Sequence, residues 1–320
     1  MNRREFVQGS TVLAAWAAVA GTGPAATAAE QTSRAERRCK LALTPGSIGV
    51  TVQSQRELNE IAQRHGFEAV EPRPAEIAAM TPEQIAETQA DLGAKKLVWA
   101  AAGSPVDFRK DEATFRAGLA ELPKIAAGLR RAGVQRVGTW LGPSSDELTY
   151  RANFRQHVAR LGEVARVLRD HELRLGLEYV GTQLLLVGKR YPFVHTLAET
   201  RELIAEIGTG NVGLVLDTWH WWTAGDTVAD LLTLKNAEVV SVDLNDAPAG
   251  VLKAQRKDNA RELPAATGVI EVAAFLGALV TLGYDGPVRA EPFNAALNAL
   301  ENEPACAAAA RRRAVGLIGG

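Results

Sequence analysis

From Lys40 onward, short apolar runs alternate with longer amphipathic stretches. Eight runs have the length and composition of buried strands: KLALT (40–44), EAVEP (68–72), KLVWAA (96–101), RVGTWLG (136–142), RLGLEYV (174–180), VGLVLD (212–217), VVSVDL (239–244) and PVRAEPF (287–293). Between them lie stretches such as SQRELNEIAQRHG (54–66), EATFRAGLAELPKIAAGLRRAG (112–133), RQHVARLGEVARVLRDHE (155–172), TLAETRELIAEIG (196–208) and EVAAFLGALVTLG (271–283). Their apolar positions recur every three or four residues, the period of one helix face. Gly66, Gly133, Gly208 and Gly283 close four of these stretches, where a left-handed cap is wanted. Pro123 predicts a kink or a split in its helix. Strands alternating with helices predict βαβ units and a parallel sheet. Eight such units fit an α/β fold of the (β/α)₈ TIM-barrel type, a single domain over 40–300 followed by a C-terminal helix or tail at 301–320. A doubly wound sheet would call for G-x-G-x-x-G after the first strand, and TPGSIGVTV lacks that spacing.

The N-terminus follows another logic. MNRREFVQGS carries the pair Arg3 and Arg4, TVLAAWAAVA is apolar, and GTGPAATAA offers small residues at Ala26 and Ala28. Basic, apolar and small-residue regions in that order predict an export signal over 1–29, with a linker at 30–39. The paired arginines make it similar to a twin-arginine signal. The expectation is a periplasmic or otherwise exported protein that meets the twin-arginine export machinery. The apolar stretch, about ten residues, is too short for a stable membrane span.

Composition narrows the partners. With 36 Lys+Arg against 37 Asp+Glu and a formal net charge of −1, bulk charge gives no reason to expect nucleic acid or an anionic membrane surface. The two cysteines, Cys39 and Cys306, form no CxxC or Cys/His metal pattern. In an exported barrel whose ends meet, a Cys39–Cys306 disulfide is an expectation.

In a TIM barrel the chemistry sits at the C-terminal ends of the strands. The fifth run ends near Glu178, the sixth in Asp217, the seventh carries Asp243 with Asn245 and Asp246 behind it, and the eighth carries Glu291. Four carboxylates on one rim would raise each other's pKa. A divalent cation removes that repulsion, and an oxygen donor set suits Mn²⁺ or Mg²⁺.

The segments LGLEYVG, NVGLVLDTWHWW, VVSVDLNDAP and VRAEPF together resemble the xylose-isomerase-like TIM barrels, the sugar phosphate isomerase/epimerase superfamily. The resemblance covers about Lys40 to Leu300. It implies metal ligands at Glu178, Asp217, Asp243 and Glu291, with Glu178 and Glu291 also as acid/base pair. Where ketose epimerases usually place a histidine ligand in an H-x-H pattern, this chain has Ser241 and Asp243. His220 is expected on a substrate oxygen, and Trp219 with Trp221 and Trp222 around the pocket mouth, since aromatic faces stack on sugar C–H surfaces. Arg261, in a segment similar to the family's R-x-L-P-G-x-G loop, and Glu71, at the end of the second run, are further candidates for substrate contact. His65, His157 and His171 fall in helical stretches and read as surface residues.

The function implied is isomerisation or epimerisation of a sugar or sugar derivative, by proton abstraction beside a carbonyl. The alternatives are a metal-dependent lyase or hydrolase on a keto-glycoside or dehydroshikimate-like substrate, and a non-catalytic exported sugar-binding protein. An endonuclease, also known on this barrel, is not expected, because a histidine-rich trinuclear site and a basic face are missing.

Overall fold

The computed structural model describes residues 38–311. The signal-like segment 1–29, most of the linker and residues 312–320 lie outside the described residues. All eight apolar runs form strands. Nine strands result: β1 (Lys40–Leu43), β2 (Ala69–Val70), β3 (Val98–Trp99), β4 (Ala102–Gly103), β5 (Arg136–Trp140), β6 (Arg174–Glu178), β7 (Val212–Asp217), β8 (Val239–Leu244) and β9 (Pro287–Ala290). The extra one arises because the third run is broken at Ala100 and Ala101. β3 pairs with β2 and β4 pairs with β5, all in parallel. The sheet's two edges are therefore consecutive pieces of one run, and the chain itself closes the ring.

Helices α1 (Gln55–Arg64), α2 (Pro74–Ala79), α3 (Pro82–Ala94), α4 (Glu112–Arg131), α5 (Tyr150–Asp170), α6 (Leu197–Ile207), α7 (Thr218–Ala224) and α8 (Val272–Thr281) connect the strands. Phe115, Leu122, Ala126 and Leu129 form one buried stripe of α4, and Leu161, Val164, Ala165 and Leu168 one of α5. Both press on Val137, Leu175 and Leu177 of β5 and β6. Each leucine so buried contributes roughly 1.5–3 kcal/mol relative to exposure. Pro123 neither splits nor ends α4, which runs unbroken through it.

No disulfide forms among the described residues. Cys39 packs in a cluster with Phe275 and Tyr284, whereas Cys306 lies in a different one with Leu41 and Leu58. Cys306 belongs to a last helix, Asn302–Arg311, that puts Ala305 and Ala309 into the same cluster. Residues past 300 thus add to the barrel's core.

Candidate active site

Strand alternation builds the site. In β6, Leu175 and Leu177 face the helix layer, so Gly176 and Glu178 face the barrel axis. In β7, Leu214 and Leu216 point out and leave Val215 and Asp217 pointing in. In β8, Val242 and Leu244 point out while Ser241 and Asp243 point in. In β9, Val288 points out, so Arg289 and then Glu291 point in. The register aligns Asp217 with Asp243 and Asp243 with Arg289 across neighbouring strands.

Glu178, Asp217, Asp243 and Glu291 converge: each offers a carboxylate oxygen, and the four lie within 4.8 Å of one another. All four are buried, Asp217 and Asp243 completely. Arg261 Nη1 donates to Asp217 Oδ2 at 2.8 Å and to Glu291 Oε2 at 3.3 Å. Arg289 grips Asp243 with two nitrogens, Nη2 donating to Oδ2 at 2.8 Å, and donates to Glu291 Oε1 at 3.1 Å. Four carboxylates thus face two guanidinium groups, a deficit that one divalent cation fills. Glu178 Oε1 is buried with no hydrogen-bond partner among the described residues, and such an atom calls for a proton or a cation. The site therefore fits a metal ion.

The titration of the acids follows from this crowding. Burial, then the neighbouring charges of Glu291, Asp243 and Asp217, push Glu178 well above the usual carboxylate range. Burial and Asp243 push Glu291 up to about 8, against the pull of Arg289 and Arg261. Burial pushes Asp243 upward too, with Arg289 opposing it. Asp217 goes the other way: its burial is outweighed by Arg261, His220, Asn245 and the Trp219 N–H.

That environment explains an acid at the tip of β7. Asp217 caps α7, its Oδ1 accepting from Trp219 N–H at 2.6 Å. Asn245 Nδ2 donates to both carboxylate oxygens, at 2.9 and 3.1 Å. Thr218 and Asn245 exchange hydrogen bonds of 3.0 and 2.6 Å, pinning β7 to β8. Gly181 N–H donates to His220 Nδ1 at 3.3 Å. On the other side of the ring, Arg261 Nη2 lies 3.2 Å from Nε2, with Asp258 Oδ1 at 3.8 Å and Glu178 Oε1 at 4.0 Å from the same nitrogen. Burial drives His220 down to about 4, so the ring is neutral. Gly181 must be glycine, because a Cβ there would meet His220 O at 2.5 Å and Ala224 N at 2.7 Å.

The mouth of the barrel is a concavity of about 250 Å³ lined by Glu178, Glu291, Arg289, Ser241, Arg109 and Trp140, among others. The residues expected to contact substrate lie around and beneath this mouth. Trp219 is fully buried beneath the site, with Nε1 donating to Thr182 Oγ1 at 3.0 Å and its ring 5.5 Å from the Arg261 guanidinium carbon. Arg261 is 1% exposed and serves as internal counter-ion to Asp217, Asp258 and Glu291. His220, 2% exposed, likewise lies under the mouth. Glu71 is not on the mouth's lining; it feels burial first and then the charge of Arg289, with a net upward shift. Asp246, three residues past Asp243, accepts N–H groups from Ala247, Thr267, Gly268 and Ile270 and holds the following loop. Sequence reasoning missed Arg289 and Arg109. Arg289 was within reach, because it shares the inward face with Glu291 two residues on.

A parallel barrel with a carboxylate cluster at the C-terminal strand ends defines the class. The chain belongs to the xylose isomerase-like TIM barrel family, whose sequence profile matches residues 60–313. It is similar to an inosose isomerase of Bacillus velezensis, 24% identical over 248 residues, covering 73% of this chain and 81% of the relative. An inosose isomerase of Halalkalibacterium halodurans is 28% identical over 142 residues, so the chain spans less than half (46%) of that relative's length. A 3-dehydroshikimate dehydratase of Pseudomonas aeruginosa is 26% identical over 136 residues, 42% of this chain and 21% of the relative. Among solved structures, a xylose isomerase domain protein from Alicyclobacillus acidocaldarius is 30% identical with a TM-score of 0.76, over 88% of this chain and 100% of that one. The IOLI protein with a bound zinc atom is 20% identical with a TM-score of 0.70, over 87% and 98%.

Proposed function

We propose that this protein is a divalent-metal-dependent isomerase or epimerase of a sugar or cyclic polyol ketone. The observation that carries the reading is the convergence of four inward carboxylates with a bare Glu178 Oε1. Glu178, Asp217, Asp243 and Glu291 would hold the ion, and their oxygen donors favour Mn²⁺ or Mg²⁺. When bound, the ion supplies positive charge against the oxygen charge that develops beside the reacting carbon. Glu178 and Glu291 both line the mouth. One removes the carbon-bound proton and the other returns it to the neighbouring position or the opposite face. Arg289 holds Glu291 in place while its own charge is partly spent on Asp243. The inosose isomerase relatives support a cyclic ketone as substrate class.

Elimination is the second reading. It is favoured by the dehydratase relative and by Arg109 at the mouth, a cation suited to a substrate carboxylate. Proton–deuterium exchange in D₂O across inososes, ketoses and keto-glycosides tests both. Metal-dependent exchange without loss of a substituent supports the isomerase, loss of a substituent supports the lyase, and no exchange with any of them overturns both. Export through the twin-arginine pathway is part of the proposal; replacing Arg3 and Arg4 by lysine should leave the protein in the cytoplasm.

A further inference from the structure

The mouth is not the end of the concave surface. Arg109 and Trp140 line it on one side and on their other side line a second cleft of about 960 Å³. Trp140 is 48% exposed, and the Arg109 guanidinium sits 4.1 Å from its ring centroid, held by Trp140 O at 2.8 Å. The second cleft is walled by hydroxyl, amide and charged groups, among them Ser144, Ser145, Gln156 and Lys110.

His157 also lines this cleft. It is not the surface residue its helical position predicts: it is 6% exposed, edge-on to Phe108 and against Phe193. Burial drives it down to about 4, so the ring is neutral. Its Nδ1 lies 2.9 Å from Asn153 O. A carbonyl only accepts, so the single ring proton is on Nδ1, and Nε2 is a bare acceptor. Nε2 is buried and has no partner among the described residues. A buried acceptor without a donor is costly unless a ligand or water supplies one.

We infer that this cleft is a second sugar subsite, in which a hydroxyl of an attached ring donates to His157 Nε2 while the reacting ring occupies the barrel mouth across Trp140. The inference rests on the sugar-directed reading of the mouth and names its substrate class as a glycoside or disaccharide derivative. The mouth has room for one ring, and the cleft beside it has the size of a ligand site, with a few polar groups set in a largely apolar lining. Trp140, half exposed, stands at the junction with Arg109 stacked on its ring.

The test is an NMR titration of the full chain with glucose and with the 1,4-linked disaccharides cellobiose and maltose. At least one disaccharide should bind about tenfold tighter than glucose, the gain of one buried hydrogen bond with its contacts. His157→Phe should cut that preference to about twofold or less while glucose affinity stays. Because His157 is buried, Gln156→Trp is the second variant; Gln156 is a half-buried cleft residue, and the larger side chain should block the subsite with the same loss of preference. Disaccharides that bind no tighter than glucose, or a preference that survives in Gln156→Trp, would overturn the subsite. Deuterium exchange reports the chemistry of the mouth and this titration reports the cleft, so either reading can fail alone.

Discussion

Asp243 and Arg289 stand opposite each other on β8 and β9 and meet through two hydrogen bonds, Nη2 lying 2.8 Å from Oδ2. Asp243 occupies the position where the ketose-epimerase pattern would put a histidine, and Arg289 faces it from the next strand. Together they give the site a fourth carboxylate and a cation beside it. Arg289→Ala removes only the cation and leaves a buried carboxylate uncompensated. The expected cost is about 3 kcal/mol in urea unfolding. Asp243→Asn combined with Arg289→Met should recover more than half of it, which a double-mutant cycle would measure.

The acids give metal-free protein an unusual pH profile. Glu291 has a folded pKa of about 8 against 4.5 for the free side chain, and Glu178 is raised as well. Between these values the folded state binds more protons than the unfolded one, so stability falls as pH rises. His157 and His220 act oppositely: lowered to about 4 from 6.5, they stay neutral in the fold, and stability falls as pH drops below 6.5. Below pH 6.5 the two kinds of group offset each other; above it the histidines no longer do so, and metal-free protein should therefore lose Tm from pH 6.5 to pH 8. Added Mn²⁺ should raise Tm more at pH 8 than at pH 6, because protons compete for the same oxygens. A flat Tm between pH 6.5 and 8 would contradict this assignment.

Much of this site was legible in the chain, and the limit of legibility has a physical cause. Strand alternation and the position of strand ends are local properties, so Glu178, Asp217, Asp243 and Glu291 could be read from period two and apolar context. Arg289 obeys the same rule as Glu291, two residues on along the same inward face. The burial of Arg261, His220 and Trp219 was not legible. It depends on the segment 245–262 folding back so that Arg261 meets Asp217 and Asp258, contacts 44 and 3 residues apart in sequence. Asp246 and Asp243 look alike on paper, and only the four N–H groups gathered around Asp246 separate a loop anchor from a ligand. His157 has the spacing of a surface residue, yet the loops carrying Phe108 and Phe193 cover it.

Glu178→Gln and Glu291→Gln should each lower deuterium exchange by about 10²–10⁴-fold while the circular dichroism spectrum is kept. Both side chains reach the mouth and neither caps a helix, so a collapse of the fold in both variants would count against an acid/base role.

Gly181→Ala should act on the site through the backbone. The added methyl meets His220 O at 2.5 Å and Ala224 N at 2.7 Å. Displacing α7 should cost about 1–3 kcal/mol. Because α7 carries His220 and is capped by Asp217, exchange activity should fall as well, in the folded fraction measured by chemical denaturation.

The most direct measurement is Mn²⁺ titration of chelator-treated protein by electron paramagnetic resonance, with deuterium exchange followed in the same samples. One Mn²⁺ per chain is expected, with exchange appearing in proportion to it. Asp243→Asn should weaken the binding by at least about tenfold. Full exchange in protein stripped of metal, or Mn²⁺ binding that Asp217→Asn and Asp243→Asn leave unchanged, would contradict a cation shared by the four carboxylates.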